Sequence, residues 1–440
     1  MKRYKKLSIL PLLAGLILLG SVTPGEASVY FQCPGYVQGV SSDTNGDGIL
    51  RGAEIGAAVP ESQVCIHLSS GDGFVNMADK VLDPDGNGQG HLQYMFGFAN
   101  VTGVPDSQVM NVGMLGAEFP APTINVREGD DVYLSLTNVG MMMRPDLFDA
   151  HTVHWHGFPN ASAIFDGLPD SGVAIGMGST LTYYYKVAES GTFMYHCHVE
   201  AAEHMQMGML GNLYVEAKQT YDGYAPNGIP AGRLGGNPDP SAPLGYAFND
   251  QDGSTAYDVE FPVQISSFDP VFHDNHINVQ PLPFADMEDT YPMINGRGYP
   301  DTINPAELGS SPENGFRNAQ KIDARIIAAP GQRILLRITS LSTTSYHTLS
   351  IMGIPMKVVG NGSRKLGLAN DTSKYYYTNS VTLGGGEAME VILDTRGPDG
   401  IQGNADDIAP GTYFLYTTNL DHLANNEEDY GGMMTEIVIQ

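Results

Sequence analysis

A single cysteine with a histidine on either side, at His196-Cys197-His198, is the sequence feature that most restricts this chain. His204 and Met209 follow it closely. Thiolate, imidazole and thioether ligands together form the set that a blue-copper site requires, so copper is the first hypothesis. A lone buried cysteine or histidine is usually a packing residue. Here, however, six of the chain's 12 histidines fall in two short segments, which favours a metal site.

Strand parity divides these residues into two sets. Successive side chains on a strand point to opposite faces, so Cys197 faces one way and its two histidine neighbours the other. The upstream segment 151–157, HTVHWHG, follows the same parity. Adding the downstream ligands by type gives a first site of His151, Cys197, His204 and Met209, and a second of His154, His156, His196 and His198. Met205 and Met207 compete with Met209 for the thioether position.

With these motifs, the chain resembles the superfamily of multicopper oxidases and copper nitrite reductases. The segments that carry the resemblance are 124–138, 151–159, 166–167 and 191–209. The resemblance implies an all-β fold of two cupredoxin-like Greek-key sandwiches. It also implies a copper-dependent oxidoreductase in which a type 1 copper takes electrons and Cys197 passes them to a second, type 2 or type 3, copper centre that reduces dioxygen. The expected donor is a small molecule, a metal ion or a redox protein.

A second part of the chain repeats the first with its ligands changed. Residues 347–355 parallel 151–159, and residues 411–419 parallel 191–198. In this alignment Thr417, Thr418 and Asn419 replace His196, Cys197 and His198. We therefore expect the second domain to keep the fold and to lose the copper.

The number of histidines leaves two alternatives open. A three-copper cluster in these oxidases uses eight histidines from two domains, and the first domain here supplies four. His347 and His422 are the second-domain candidates, and His422 of a neighbouring subunit would complete the second centre in a homotrimer. The alternatives are a two-domain nitrite reductase-like trimer, or a non-enzymatic copper protein for electron transfer or copper binding. The His-Cys-His triplet resembles the oxidases more than the nitrite reductases.

The N-terminus has the pattern of an export signal. A basic start at 1–6, an apolar run at 7–19 and small residues at 25–27 predict a signal peptide cleaved after Ala27. The expected location is periplasmic, extracellular or at the cell surface. No other apolar run approaches the length of a membrane helix. A formal charge of −27 makes nucleic acid an improbable partner.

The segment after the signal contains a calcium-binding pattern. Residues 43–54 match the EF-hand loop at positions one, three, five, six and twelve. The expected ligands are Asp43, Asn45, Asp47, Glu54 and, at position seven, the backbone carbonyl of Ile49. An acidic solvated turn is the alternative. With Cys197 assigned to copper, Cys33 and Cys65 are the remaining pair, and they are expected to form a disulfide in an oxidising compartment.

Composition shifts then divide the chain. We expect a signal peptide at 1–27, an N-terminal extension with the calcium loop and disulfide at 28–110, and a copper-binding cupredoxin domain at 111–219. A Gly- and Pro-rich linker would follow at 220–254, and a second cupredoxin domain without the copper motif at 255–440.

Overall fold

The computed structural model describes residues 29–79 and 90–440. The predicted signal peptide, residues 1–27, lies outside the described residues. Among the helices that are described, none is both long enough and apolar enough to cross a membrane.

Nine strands and three short helices make up the first part of the described chain. The strands are β1 Leu50–Arg51, β2 Gln63–Asn76, β3 Leu92–Asn100, β4 Ala121–Arg127, β5 Asp131–Gly140, β6 His154–His156, β7 Thr180–Lys186, β8 Gly191–His196 and β9 Leu210–Glu216. The helices are α1 Asp106–Gly113, α2 Ala201–Gln206 and α3 Lys218–Asp222. Short 3-10 turns lie at Gly52–Glu54, Ala163–Phe165, Ala225–Asn227 and Arg233–Gly235.

These strands form two packed sheets. One has the order β1-β2-β5-β7, with β3 also paired to β2, and the other has the order β4-β9-β8-β6. The apolar faces of both sheets meet in one core, which holds Trp155, Tyr185 and Cys197 with less than 2% exposure each. An aromatic and β-branched strand composition suits such two-sided packing. The predicted all-β sandwich is confirmed for this domain.

The predicted boundary at residue 110 does not match the sheet. Strands β2 and β3, from the expected N-terminal extension, are integral to the first sandwich, because β2 runs parallel to β5 from Gln63 to Gly71. Residues 71–73, Gly-Asp-Gly, resemble a turn in the sequence. They continue the strand because the Asp72 carboxylate is buried and accepts hydrogen bonds from the backbone amides of Met142 and Met143.

The predicted disulfide between Cys33 and Cys65 is confirmed. The two sulfur atoms are 2.03 Å apart, and the Cα atoms are 5.8 Å apart. Both cysteines lie in a small apolar cluster with Phe31, Leu50 and Ile55. The bridge therefore ties the N-terminal segment to the buried strand β2.

The second part of the chain is another two-sheet sandwich. Its strands are β10 Gly245–Tyr246, β11 Ala256–Tyr257, β12 Val259–Phe268, β13 Tyr291–Ile294, β14 Ile326–Ala328, β15 Arg333–Ser340, β16 His347–Ile351, β17 Met356–Asn361, β18 Arg364–Lys365, β19 Tyr376–Thr378, β20 Ser380–Leu383, β21 Glu387–Asp394, β22 Gly411–Thr417 and β23 Met434–Ile439. Helix α4 spans Pro270–Ile277, and 3-10 turns lie at Phe284–Asp286, Asp301–Ile303 and Leu420–His422.

One sheet of this domain has the order β13-β12-β15-β21-β17-β18, with β19 on β17, and the other has the order β14-β23-β22-β16-β20. Their shared core contains Ile338, Leu349 and Met433, all buried. Strands β10 and β11 form a separate two-stranded sheet, with β10 inside the predicted linker, 220–254, and β11 just beyond it.

A buried ionic network joins the two sandwiches. Arg337 on β15 is fully buried, and its guanidinium contacts Glu216 of β9 and Glu260 of β12. The backbone amide of Thr192 on β8 donates to Glu390 on β21 at 2.7 Å. Because these contacts fix β8 and β9 against the second domain, they also fix the end of β8, where His196 lies.

Candidate metal centre

The first ligand set meets in the core of the first sandwich. Cys197 follows β8, His151 precedes β6, and His204 lies on α2. The Cys197 Sγ is 3.2 Å from His204 Nδ1 and 3.9 Å from His151 Nδ1. All three side chains are fully buried. Two imidazole nitrogens on one thiol sulfur form an arrangement that can hold a copper ion.

Met209 is fixed in the same core by the backbone. The Cys197 amide donates to the Met209 carbonyl at 3.2 Å, and the Met209 amide donates to the His204 carbonyl at 2.8 Å. Both Met209 and Met207 are fully buried in this core, whereas Met205 is only partly buried and lines the neighbouring cavity. The two backbone hydrogen bonds hold Met209 next to Cys197 and His204.

Burial changes the pKa values of the ligands in the first set. It favours the metal-binding form of the two histidines but disfavours the thiolate form of the cysteine. It lowers the pKa of His204 to about 4, and it lowers the pKa of His151 as well. Neutral imidazole is the form that binds metals. Burial raises the pKa of Cys197 to about 11, so a thiolate at this position needs a bound cation. The backbone amide of Thr152 points at the sulfur, 3.5 Å away.

The second ligand set lies on the opposite face of the same strands. Ligand atoms of His154, His156 and His196 lie within 4.8 Å of one another. The ring centroid of His198 is 5.2 Å from that of His154 and 5.6 Å from that of His196. Burial lowers the pKa of His196 to about 3 and lowers those of His154 and His156. Burial thus favours the neutral form of these three imidazoles, and the ring of His198 lies beside them.

Hydrogen bonds orient two of these rings. The Nδ1 of His154 donates to the carbonyl oxygen of Asp166 at 2.6 Å, which leaves its Nε2 free for a ligand. The Nδ1 of His196 donates in the same way to the carbonyl oxygen of Cys197, and its Nε2 is 3.3 Å from the Nδ1 of His156. Backbone carbonyls that fix the tautomer in this way are common behind metal-binding histidines.

These four histidines line a cavity of about 500 Å³ between the two domains. The opposite wall comes from residues 341–346 and from Gly385 and Gly386 of the second domain. Gly386 has a φ of +87°, and a side chain there would begin 2.8 Å from the His156 Nε2. A side chain at position 386 would therefore press against the His156 ring.

The two second-domain histidines lie elsewhere. Neither His347 nor His422 is among the described residues that line the cavity. Their ring centroids are 5.0 Å apart, and the Nε2 of His347 is 2.7 Å from the Oγ of Ser342. Within a single chain, the structure therefore pairs His422 with His347 and not with the four cavity histidines.

Sequence reasoning missed the acidic group beside the first site. The buried Nε2 of His204 is 3.9 Å from a carboxylate oxygen of Asp149 and 3.9 Å from one of Glu200. Asp149 and Glu203 also lie within 4.8 Å of His204 by their ligand atoms. These carboxylates carry no motif, and only the fold brings Asp149 to the helix that contains His204.

The calcium-type loop is closed by its own carboxylates. Asp43 accepts hydrogen bonds from the backbone amides of Gly46 and Gly48, at 2.7 and 2.8 Å. Asp47 accepts from the Ile49 amide at 2.9 Å, and Glu54 accepts from the Thr44 amide at 3.0 Å. The side chains at the first, fifth and twelfth loop positions thus all turn toward the loop.

Comparison with known proteins identifies the segment that contains both ligand sets. Residues 99–220 match the family model of multicopper oxidases. This segment is similar to a multicopper oxidase domain. Over 118 residues it is 34% identical to an L-ascorbate oxidase of Nicotiana tabacum, and this match covers 26% of the chain and 18% of that enzyme. The chain thus spans less than a fifth of that relative.

Solved structures extend the likeness of the multicopper oxidase domain to most of the chain. The blue copper oxidase of Nitrosomonas europaea superimposes with a TM-score of 0.56 and 23% identity, covering 86% of each chain. A copper nitrite reductase of the same organism superimposes with a TM-score of 0.51 and 15% identity, covering 86% of this chain and 94% of that one. At these identities the likeness shows the fold, and it confirms two cupredoxin-like sandwiches.

Proposed function

We propose that this chain is an exported, copper-dependent oxidoreductase of the multicopper oxidase type. Electrons from a donor would enter at the site of His151, Cys197, His204 and Met209, and dioxygen would be reduced at the site of His154, His156, His196 and His198. The observation that carries this proposal is that consecutive residues of the chain belong to the two sites. Cys197 belongs to the first set, and its two neighbours in sequence belong to the second.

The donor atoms fit copper at both sites. Copper held there would supply one-electron chemistry, since thiolate and thioether ligands suit the cuprous ion and imidazoles suit copper more generally. The protein's own contribution is orientation. The backbone carbonyls of Asp166 and Cys197 orient the His154 and His196 rings. Gly386, which has no side chain, leaves space in the cavity beside His156.

The environment of each site suggests its reactant. A cavity of about 500 Å³ is large enough for a small oxidant, and the side chains of Ser342, Thr343 and Thr344 line it with hydroxyl groups. At the other site, Asp149 and Glu200 beside His204 favour a positively charged donor, such as a metal ion or a basic redox protein.

Nitrite is a second candidate oxidant. The described cavity contains four imidazoles and no histidine from the second domain of the same chain, whereas the resemblance leads us to expect eight for a three-copper cluster. A smaller centre, completed by His422 of a neighbouring subunit in a homotrimer, would resemble that of the nitrite reductases. Copper content and native mass of the loaded protein separate the two centres.

One pair of substitutions separates an enzyme from an electron carrier. His154→Ala with His156→Ala removes half of the cavity set and leaves the first site intact. An oxidoreductase would then lose oxygen or nitrite reduction and keep its blue absorption band. Unchanged turnover in this double variant would refute the proposal. If the wild type shows no turnover and the double variant keeps its electron-exchange rate, the protein is an electron carrier.

We further propose that the loop 43–54 binds calcium through Asp43, Asn45, Asp47, the carbonyl of Ile49, and Glu54. Its support is the spacing of the ligands and the inward orientation of three carboxylates. The Cys33–Cys65 disulfide supports export, because such bonds persist in oxidising compartments.

A further inference from the structure

The strand register shows which second-domain residue replaces Cys197. In the first domain His154 pairs with His196 between β6 and β8, and His196 pairs with Leu210 of β9. In the second, Ser350 pairs with Tyr416 between β16 and β22, and Tyr416 pairs with Met434 of β23. Tyr416 therefore corresponds to His196, and the next residue, Thr417, corresponds to Cys197.

This register corrects the sequence alignment by one residue. Matching Tyr195 with Tyr416 had placed Thr418 at the cysteine position. Pairing from Gly191 and Gly411, which begin the two strands, places Thr417 there instead. Burial agrees, because Thr417 and Cys197 are both fully buried whereas Thr418 is exposed.

The backbone contacts of the first site recur in the second domain. The Thr417 amide donates to the Met433 carbonyl at 2.9 Å, as the Cys197 amide does to Met209. The Met433 amide donates to the His422 carbonyl at 2.9 Å, as the Met209 amide does to His204. Met433 and His422 therefore occupy the positions of the thioether ligand and the downstream histidine of the first site.

The two imidazoles also have the same separation. The ring centroids of His347 and His422 are 5.0 Å apart, and those of His151 and His204 are 5.1 Å apart. The Nδ1 atoms of His347 and His422 are both buried and lack a hydrogen-bond partner in the described structure. Buried nitrogens without partners are uncommon, and a bound ion is one cause.

We propose that His347, His422 and Met433 form a second-domain copper site, equivalent in position to the first but without cysteine, and that it takes copper(I). Two neutral imidazoles and a thioether suit the soft, singly charged cuprous ion. The nearby Asp289 carboxylate accepts hydrogen bonds from Ser267, Thr344 and Gln206. This site does not rest on the proposed oxidoreductase function.

Anaerobic titration of the metal-free protein with copper(I), in competition with a bathocuproine chelator, tests the site. We expect His422→Gln and Met433→Leu each to bind one equivalent of copper(I) less than the wild type. Both variants should keep the blue band of the Cys197 site after loading with copper(II), which also shows that they fold. Met433→Leu conserves the side-chain volume, so it should disturb the packing of the core little.

The matched control is His67→Gln. His67 is buried and has an unpartnered Nδ1, but its ring stacks on Phe31 and not on another imidazole. We expect this variant to bind as many equivalents as the wild type. Wild-type stoichiometry in both His422→Gln and Met433→Leu would overturn the proposal, as would an equal loss in His67→Gln.

Discussion

The Nδ1 of His196 donates a hydrogen bond to the carbonyl oxygen of Cys197, 2.8 Å away. The backbone of Cys197, a residue of the first site, thus holds the His196 ring that faces the cavity. His196→Gln would remove an imidazole ligand of the second set and leave the first set unchanged. We expect the blue absorption band to persist and oxygen uptake to fall by at least about tenfold, the size of effect seen when groups around a metal ligand are lost. Loss of the blue band would contradict this separation of the sites.

Gly386 provides a test of the cavity that leaves all ligands in place. An alanine there would place its Cβ 2.8 Å from the His156 Nε2, at a backbone φ of +87°. We expect Gly386→Ala to lower the amount of copper bound at the second site, measured by metal analysis, without changing the blue band. Gly362→Ala is the matched control, because Gly362 also has a positive φ, +60°, and has open space around it. Equal copper content in both variants would argue against the cavity as the site.

The carboxylates beside His204 should select the donor by charge. Asp149→Asn with Glu200→Gln removes two negative charges near its Nε2. We expect KM to rise several-fold for a cationic donor such as Fe(II), with little change for an uncharged phenol. The effect should shrink as salt screens the charges. Asp222→Asn on α3 is the control. A similar change in KM for both donors in the double variant would exclude selection by charge.

Calcium should stabilise the N-terminal loop. We expect millimolar calcium to raise the unfolding temperature of the wild type and to have little effect on Glu54→Gln, which lacks the bidentate ligand at the twelfth position. Scanning calorimetry with and without a chelator measures the shift. Asp106→Asn is a control outside the loop. Equal shifts in the wild type and Glu54→Gln would refute a calcium site there.

The domain interface should make stability depend on pH. Burial raises the pKa of Glu216 from 4.5 to about 7, so the folded protein holds a proton that the unfolded chain has lost between these values. Stability from this group therefore falls as pH rises from 4.5 to 7. Glutamine stays neutral, so Glu216→Gln should gain stability relative to the wild type over this range, by an upper limit of about 3 kcal/mol. Denaturant unfolding at pH 5 and pH 8 checks this.

The exposed Glu61→Gln serves as the comparison for that experiment. For a carboxylate that is exposed in both the folded and the unfolded state, the stability difference between variant and wild type is expected to be independent of pH. A constant difference for Glu216→Gln as well would mean that Glu216 is ionised throughout.

Strand parity groups the candidate ligands that lie on or next to two short strands, whereas His204 and Met209 were added by ligand type. Alternation of side chains is a local rule, and His154, His156 and Cys197 are within three residues of β6 or β8. The cavity wall could not be predicted, because Gly386 and residues 341–346 reach the histidines only through packing of the two domains. The residue pattern within one segment does not predict a contact between two segments that are far apart in the chain.

The place of strand β2 in the first sandwich depends on a similar contact. Gly71-Asp72-Gly73 has turn composition, and turn composition usually ends a strand. Here the buried Asp72 finds its partners in the backbone of residues 142 and 143, far along the chain. The sequence alignment of the second repeat also differs from the strand register by one residue, because it matches Tyr195 with Tyr416 although the strands begin at Gly191 and Gly411.

The parallel pairing of β2 with β5 determines what can be excised from this protein. The stretch 99–220 contains every residue of both first-domain ligand sets, yet it lacks the strand that covers one side of β5. Expressed alone, it would present an open row of backbone amides and carbonyls, which promotes aggregation. A minimal blue fragment must therefore begin upstream of Gln63, and a shorter fragment would retain every ligand without being an autonomous folding unit.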